Sequence, residues 1–213
     1  MISNYVCLRP GHYFQMFKTG PSPEYGKSYV AVRYNAYSTT RTLSRIRYDR
    51  LRSVVGEFDT VCDFGYGNGD FIDHCINQGH TCSGYDIADY PLPEAATRIY
   101  DCDGFEFDVM TFFDSLEHIA ESDLVSFLLA KRVKYLCISV PHFHESLGSD
   151  WFMGWKHRRP NEHFHHFDTH GLEGLLKEAN FSVVYTGNDE DVIRRPVDNN
   201  TNILTVIARK NDI

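Results

Sequence analysis

A glycine-rich turn between an apolar segment and the start of a helix is the feature that most constrains the fold. The segment Val61–Phe71 reads VCDFGYGNGDF. It predicts a short buried strand, a turn, and a helix that stops near Gly79. Because glycine has no Cβ, such a turn lets the backbone approach a ligand closely. The N-terminus of the helix that follows offers unpaired N–H groups with a partial positive charge. The segment therefore predicts a ligand-binding turn.

The spacing of the glycines indicates which ligand this turn binds. The dinucleotide fingerprint G-x-G-x-x-G would need a third glycine at position 70, where the chain has Asp70. The pattern present is D-x-G-x-G-x-G, which resembles motif I of the class I S-adenosylmethionine (SAM) methyltransferases. The resemblance implies a cofactor site, and an acid near the ammonium group of SAM makes physical sense. A glycine-rich turn without a ligand is the alternative. The residues carried over to the cofactor are Asp63, Gly65, Gly67 and Gly69.

An acid at the tip of the next predicted strand supports the same cofactor. Residues 80–87 read HTCSGYDI and place Asp86 at the end of a strand, about 20 residues past the turn. A carboxylate there can accept hydrogen bonds from two ribose hydroxyls. The resemblance implies this role for Asp86, and a loop acid that caps a turn is the alternative.

A second motif lies where another predicted strand ends. Residues 107–118 read FDVMTFFDSLEH, and their Leu-Glu-His ending resembles the motif IV region of ubiquinone-biosynthesis-type small-molecule methyltransferases. The resemblance implies that this turn flanks both the methyl donor and the acceptor, and it makes Asp114 and His118 site residues. The alternative is structural, with Glu117 and His118 positioning the next helix.

The family also places an acidic or polar side chain near the adenine, after its third strand. The local candidates are Asp101, Cys102 and Asp103, of which we choose Asp101.

Histidines are concentrated in one segment after the predicted fifth strand. Seven of the eleven histidines fall within residues 142–170. One interpretation is acceptor binding with His142 or His144 as general base, since neutral imidazole takes up a proton near pH 7. A zinc or iron site with an acid is the second, and histidines bonded to backbone around a long insert are the third. The spacing matches no established metal motif, so we expect no resident metal.

The same segment contains the predicted acceptor-binding residues. From Glu162 to Phe181 it is similar to the family's "E-H-x-x-x-F…L…L-L…A-G-F" stretch. The guanidinium groups nearby suit a carboxylate or phosphate, which suggests an anionic acceptor, although arginines on a solvated loop are an equally good interpretation. The predicted acceptor-binding residues are Trp155, His157, Arg158, Arg159 and His163.

Charge divides the chain into two parts. Although the net charge is −8, residues 1–56 carry nine Lys/Arg and two Asp/Glu. We expect residues 1–56 to form a basic arm or lid, irregular over 1–37, followed by a helix, and residues 57–213 to form the SAM-binding domain. The basic part can meet an anionic partner or pack against the acidic body. The weakest candidates for cofactor contact are in this arm: Tyr34, Tyr37 and Arg41; the candidate caps of its helix are Ser38, Thr39 and Thr40.

The lack of long apolar runs and the spacing of the cysteines indicate in which compartment the protein is expected. There is no run of 18 apolar residues and no signal-peptide pattern, so we expect no membrane span. The six cysteines form no C-x-x-C pair and are typical of buried thiols in a reducing compartment. We therefore expect a cytoplasmic protein.

The alternation of strands and helices favours a Rossmann-like, doubly wound α/β fold. With the resemblance, it implies a seven-stranded, mostly parallel sheet with a reversed last strand. The expected function is transfer of a methyl group from SAM to an O or N atom of a small acceptor, for which an anionic group is one option. The alternatives are a nucleic-acid methyltransferase, which the acidic body disfavours, and a non-catalytic SAM-binding protein; the oligomeric state stays open. Strands are predicted at residues 59–64, 81–87, 97–101, 107–113, 134–140, 181–187 and 203–209, and helices at 38–55, 69–78, 121–132 and 169–179.

Overall fold

The computed structural model describes residues 4–25, 40–102, 104–196 and 199–212. The strands form one large sheet and one small sheet. The strands of the large sheet agree with those predicted from the sequence, with small shifts at their ends. In chain order the strands are β1 (Tyr5–Arg9), β2 (His12–Gln15), β3 (Thr60–Phe64), β4 (Thr81–Tyr85), β5 (Thr97–Arg98), β6 (Glu106–Phe113), β7 (Arg132–Pro141), β8 (His165–Phe167), β9 (Phe181–Gly187) and β10 (Ile203–Lys210).

The large sheet has the predicted topology. Its seven strands are ordered β5-β4-β3-β6-β7-β10-β9. The pairs from β5 to β7 are parallel, whereas β10 runs antiparallel to both β7 and β9. The Rossmann-like sheet with a reversed last strand is therefore confirmed. In such a sheet, ligands bind beyond the carboxyl ends of the parallel strands.

Helices cover both faces of the large sheet. Two of them begin at an aspartate whose side chain accepts a backbone N–H: Asp123 from Ser126, and Asp168 from Gly171. No described helix is both long and apolar enough to cross a membrane. The helices are α1 (Thr40–Val55), α2 (Asp70–Asn77), α3 (Leu124–Leu129), α4 (Gly148–Gly154), α5 (Thr169–Glu178) and α6 (Asp191–Arg194), with short 3-10 turns at Leu116–His118 and Glu145–Leu147.

Apolar side chains pack on each side of the sheet. On one side, Leu51 of α1 and Ile72 of α2 are fully buried against the strands, and on the other Leu128 and Leu172 are. Burying a side chain of this size stabilises the fold by about 1.5–3 kcal/mol. All six cysteines are free and five of them are buried, while Cys7 is exposed. This apolar packing on both sides of the sheet fixes the positions of the strand ends.

The expectation of an irregular segment over residues 1–37 is wrong for its first part. Strands β1 and β2 form a hairpin, and β2 pairs with β8 to give a three-stranded antiparallel sheet. Tyr5 and Phe14 are buried there, so the hairpin has an apolar face that the sequence pattern did not reveal. The predicted residues Tyr34, Tyr37, Ser38, Thr39 and Asp103 lie outside the described residues.

Candidate active site

The glycine turn follows β3 and requires glycine at its first position. Gly65 has φ +83°, and a Cβ added to it would lie 2.6 Å from the Cβ of Ser115. Both the left-handed backbone and this close approach exclude a larger residue. The turn ends at the N-terminus of α2, where the backbone at Gly69 is also left-handed. The chain from Asp63 to α2 therefore forms a cradle whose shape comes from its backbone.

Asp63 lies at the base of the cradle. Its side chain is buried and accepts a hydrogen bond from the Thr111 hydroxyl on the neighbouring strand at 2.6 Å. Burial raises the pKa of Asp63 to about 6, although this hydrogen bond opposes the shift. A cation placed beside this carboxyl would therefore stabilise its charged form.

Asp86 follows β4 and closes the other side of the cradle. Its carboxylate accepts hydrogen bonds from the backbone N–H groups of Gly67 at 3.0 Å and Ala88 at 2.9 Å. Burial raises the pKa of Asp86 above its usual value, and these two hydrogen bonds counteract the shift. Asp86 is therefore held rigidly by the turn it borders.

Two cavities open at the carboxyl edge of the sheet. The larger has a volume of about 520 Å³ and the smaller about 170 Å³. Gly65, Asp114 and His118 line both, so the cavities are neighbours. Asp86 lines the larger cavity with apolar side chains around it, including Phe64. The smaller cavity brings together, from the predicted site, Asp63, Gly65, Gly67, Asp114, His118, His157, Arg159 and His163.

An ion-pair network of four side chains borders the smaller cavity. Arg47 of α1 donates to Glu190 at 2.7 Å and to Asp114 at 3.2 Å. Arg194 of α6 donates to Asp114 at 2.7 Å and to Glu190 at 3.0 Å. Burial alone would raise the pKa of Asp114, but the two guanidinium groups hold it at about 2. The predicted site residue Asp114 thus stays ionised and serves to join α1 to α6.

A carboxylate and two imidazoles form a compact cluster on the wall of the smaller cavity. One ligand atom each of Glu117, His118 and His163 lies within 4.8 Å of the other two. The rings of His118 and His163 meet edge to face, 4.6 Å between centroids, and Tyr25 contacts Nδ1 of His118 at 3.0 Å. Burial lowers the pKa of both histidines, and it raises the pKa of Glu117 well above its usual range. Burial thus disfavours the charged form of each of these groups.

The structure does not bring the two histidines predicted as general bases to either cavity. The ring nitrogens of His142 lie near Thr201 at 2.6 Å and Thr169 at 3.3 Å, and Nε2 of His144 lies 2.8 Å from the Thr201 carbonyl. Neither residue lines the smaller or the larger cavity. Both follow β7 on the β10 side, where their nitrogens hold a neighbouring loop.

The remaining predicted residues also fall into two groups, those that line a cavity and those that do not. His157 and Arg159 line the smaller cavity, while Trp155 and Arg158 do not. Trp155 is packed with Trp151, 5.3 Å between ring centroids, and Arg158 reaches the sulfur of Met153. Gly69 and Asp101 also lie outside both linings, although the neighbours of Gly69 belong to the smaller one.

Sequence reasoning missed the roles of Arg47, Arg194 and Glu117. Arg47 lies in the basic part, which was expected to meet an anionic partner or to pack against the acidic body, but its partner Glu190 is 143 residues away and could not be named. Glu117 was noted only as part of the Leu-Glu-His turn. Its position between Asp114 and His118 was the available signal, because three ionisable side chains in five residues at a strand end point to a site.

Comparison with known proteins agrees with this arrangement. Residues 33–186 match the model of a family described as a methyltransferase domain. No curated protein sequence matches the chain significantly.

Solved structures share the fold at low identity. The 1,6-didemethyltoxoflavin-N1-methyltransferase of Burkholderia thailandensis is 17% identical with a TM-score of 0.61, and the match covers 99% of this chain and 100% of that one. The magnesium protoporphyrin IX methyltransferase of Synechocystis PCC 6803 is 15% identical with a TM-score of 0.56, and the match covers 90% of each chain. A SAM-dependent methyltransferase of Clostridium acetobutylicum is 12% identical with a TM-score of 0.59, over 87% of this chain and 97% of that one.

The family match spans well over half of the chain and contains the glycine turn, Asp86 and the Leu-Glu-His turn. The sheet order and the cradle at its carboxyl edge are those expected from the sequence. The chain therefore belongs to the methyltransferase domain family and is a class I SAM-dependent methyltransferase.

Proposed function

We propose that this enzyme methylates an oxygen or nitrogen atom of a small-molecule acceptor that enters the smaller cavity. The observation that carries the proposal is the shared lining of the two cavities. Because Gly65, Asp114 and His118 line both, a ligand in one cavity lies directly beside a ligand in the other. Holding two reactants in contact is the main contribution an enzyme makes to such a transfer.

The residues of the larger cavity and the cradle fit the cofactor, whose amino-acid end reaches the part of the smaller cavity that Asp63 and Gly67 line. The acceptor takes the part of the smaller cavity lined by His157, Arg159 and His163. Position 65 leaves space that a Cβ would fill, Asp86 is fixed for the two ribose hydroxyls, and Asp63 suits the ammonium group. Asp114, Gly67 and Gly69 shape the same region, and Asp101 stays the candidate for the adenine. When bound, SAM supplies an electrophilic methyl group for in-line displacement. The chain itself orients that group and excludes water from it.

Two separate segments, the turn after β6 and the insert before β8, supply the side chains of the acceptor side. Arg159, His157 and His163 line the smaller cavity next to His118. Burial lowers the pKa of His157 to about 4, so its imidazole is neutral near pH 7 and can accept a hydrogen bond from an acceptor hydroxyl or amine. A cavity of about 170 Å³ suits a small molecule or one edge of a larger one. Two structural neighbours carry names of enzymes that act on small molecules, the toxoflavin precursor and magnesium protoporphyrin.

The nucleic-acid alternative is disfavoured by how the basic helix is used. Arg47, Arg50 and Arg52 of α1 pair with Glu190, Asp189 and Glu57 respectively. Guanidinium groups bound to acids of the same chain are not available to neutralise phosphates. Binding to oligonucleotides that weakens steeply with salt would contradict this reasoning.

Ligand binding followed by methyl transfer tests the proposal. We expect S-adenosylhomocysteine (SAH) to raise the melting temperature by a few degrees at 100 times its dissociation constant, since that adds about 2.7 kcal/mol, while NAD does not. Methyl-labelled SAM should then label a component of a small-molecule extract. SAH binding without labelling of any fraction would favour a non-catalytic protein.

A further inference from the structure

We propose that Glu117, His118 and His163 bind a divalent transition-metal ion on the wall of the acceptor cavity. The inference deepens the proposed function, because the ion would lie where the acceptor enters, and it rests on that function only for the ion's role. The three side chains come from two distant segments, the turn after β6 and the insert before β8. The fold brings them to one point.

The strongest observation is a buried carboxylate without a partner. Glu117 is 1% exposed, and among the described residues neither of its side-chain oxygens has a hydrogen-bond partner. Leaving such a group unpartnered costs free energy, so native proteins almost always satisfy it. His163 is 3% exposed, and its Nδ1 likewise has no described partner. Three unsatisfied polar atoms on two neighbouring side chains therefore point to a cation as their partner.

The geometry of His118, the third proposed ligand, fits the same metal site. Tyr25 contacts Nδ1 of His118 at 3.0 Å, and Nε2 of His118 lies 3.9 Å from Oε1 of Glu117. A hydrogen bond on one ring nitrogen fixes the orientation of a ligating histidine and leaves the other nitrogen for the metal. With all three ligand atoms within 4.8 Å of one another, a small cation can contact each after minor side-chain adjustment.

The donor set selects the class of ion. Two imidazoles and one carboxylate suit zinc, iron(II), cobalt(II) or manganese(II), whereas magnesium and calcium prefer oxygen ligands alone. Three protein ligands leave at least one coordination position open. All three residues line the smaller cavity, so that position faces the place where the acceptor binds. An acceptor with an oxygen or nitrogen donor would fill it.

Asp114 is not part of this centre, although it precedes Glu117 by only three residues. Its two oxygens are engaged by Arg194 at 2.9 and 2.7 Å, and Arg47 also donates to it. The carboxylate is therefore neutralised by the ion-pair network. This leaves Glu117 as the anionic ligand.

Cobalt binding tests the site directly. Tag-free protein, stripped with a chelator, is titrated with Co²⁺, whose visible absorption reports nitrogen and oxygen ligands. We expect one equivalent to bind, and Zn²⁺ to displace it. Glu117→Gln and His163→Gln should each weaken Co²⁺ binding by roughly 100-fold, since even losing a group that only orients a ligand costs about 10- to 100-fold. The matched control is His170→Gln, which removes an exposed imidazole on α5 and should leave Co²⁺ affinity unchanged.

SAH binding, measured on the same samples, separates the two proposals. If the wild-type protein binds SAH but neither Co²⁺ nor Zn²⁺, the metal inference is wrong and the proposed function stands. If it binds Co²⁺ but not SAH, the proposed function fails and the metal site stands. Variants that lose Co²⁺ while keeping SAH affinity are folded, so their loss would support the assigned ligands; equal Co²⁺ affinity in all of them would overturn the assignment.

Discussion

The cofactor side and the acceptor side of the site are built by different means. On the cofactor side, the turn from Asp63 to α2 and the tip of β4 form a cradle whose shape is set by backbone, with Asp86 bonded to N–H groups of its own surroundings. On the acceptor side, the turn after β6, α1, α6 and the histidine-rich insert each contribute side chains, and these are joined by ion pairs or left facing one another. The cofactor side is therefore determined by a short stretch of sequence. The acceptor side forms only when segments that are distant in the sequence pack together.

This difference has an energetic counterpart. Left-handed glycines define the backbone of the cradle, so a change in one of its acidic side chains should alter the free energy of unfolding little. The acceptor side depends on buried charges that balance one another. Breaking such a balance leaves an uncompensated charge in the protein interior, which is costly. Substitutions on the acceptor side should therefore mainly change the free energy of unfolding. Substitutions of the acidic side chains on the cofactor side should mainly change the affinity for the ligand.

The largest effect is expected in the ion-pair network. Arg47→Ala removes a guanidinium from Glu190, whose side chain is 1% exposed, and should lower the free energy of unfolding by about 3–5 kcal/mol. Chemical denaturation measures this. The double variant Arg47→Met with Glu190→Gln, which removes both charges, should recover much of the loss. A single variant as stable as the wild type would mean that the acceptor side is not held by charge balance.

The next effect belongs to the cofactor side. Asp86→Ala should weaken SAH binding by about 3 kcal/mol, more than a hundredfold, because two hydrogen bonds from ribose to a charged acceptor are lost. Titration calorimetry gives the affinity, and denaturation checks that the fold survives. Asp86→Asn keeps the shape and one acceptor oxygen, so its loss should be smaller. Unchanged affinity in the alanine variant would remove the ribose assignment.

A pH titration sharpens the comparison on the cofactor side. Because burial raises the pKa of Asp63 to about 6, its carboxyl is protonated below that pH and cannot pair with an ammonium group. SAH affinity should hold above pH 6 and fall by up to about tenfold for each pH unit below it. Adenosine, which lacks the ammonium group, should show a weaker dependence, and Asp63→Asn should remove the difference between the two ligands.

The raised pKa of Asp63 also makes the stability of the ligand-free protein depend on pH. The folded pKa of Asp63 lies above its unfolded value near 3.8, so the folded state binds more protons between these values. Its contribution to stability is present at low pH and is lost as the pH rises through about 6. Relative to Asp63→Asn, the ligand-free wild type should therefore become less stable over this interval. A flat difference between the two proteins would contradict the raised pKa.

The smallest effect separates the histidines seen on the cavity wall from those outside it. His144→Gln should change the free energy of SAH binding by no more than about 0.5 kcal/mol and leave methyl transfer near the wild-type rate. The reason is that His144 bonds to the Thr201 carbonyl and lines neither cavity. A general base contributes about 10²- to 10⁴-fold, so a fall of that size would restore the role predicted from the sequence.

The elements that a few consecutive residues define were predicted correctly from the sequence. Strands β3 and β4 with the turn between them are such a case, and so is β6 with its polar ending. The hairpin β1–β2 was missed because each strand is short and interrupted by polar residues, and because its partner β8 lies about 150 residues further on. The basic part packs against the acidic body, as one of the two interpretations expected, but the partner of Arg47 could not be named, since an arginine on a helix reveals its partner only in three dimensions.

The position of β10 has a consequence for how the chain is made. This strand is the last of the described strands, yet it pairs with β7 on one side and β9 on the other. During synthesis from the N-terminus, the edge of β7 therefore stays unpaired until residues 203–210 have left the ribosome. Unpaired edges of apolar strands are where nascent chains associate wrongly. The loop with Glu190 and Arg194, which lies between β9 and β10, can complete the acceptor side only after that edge is closed.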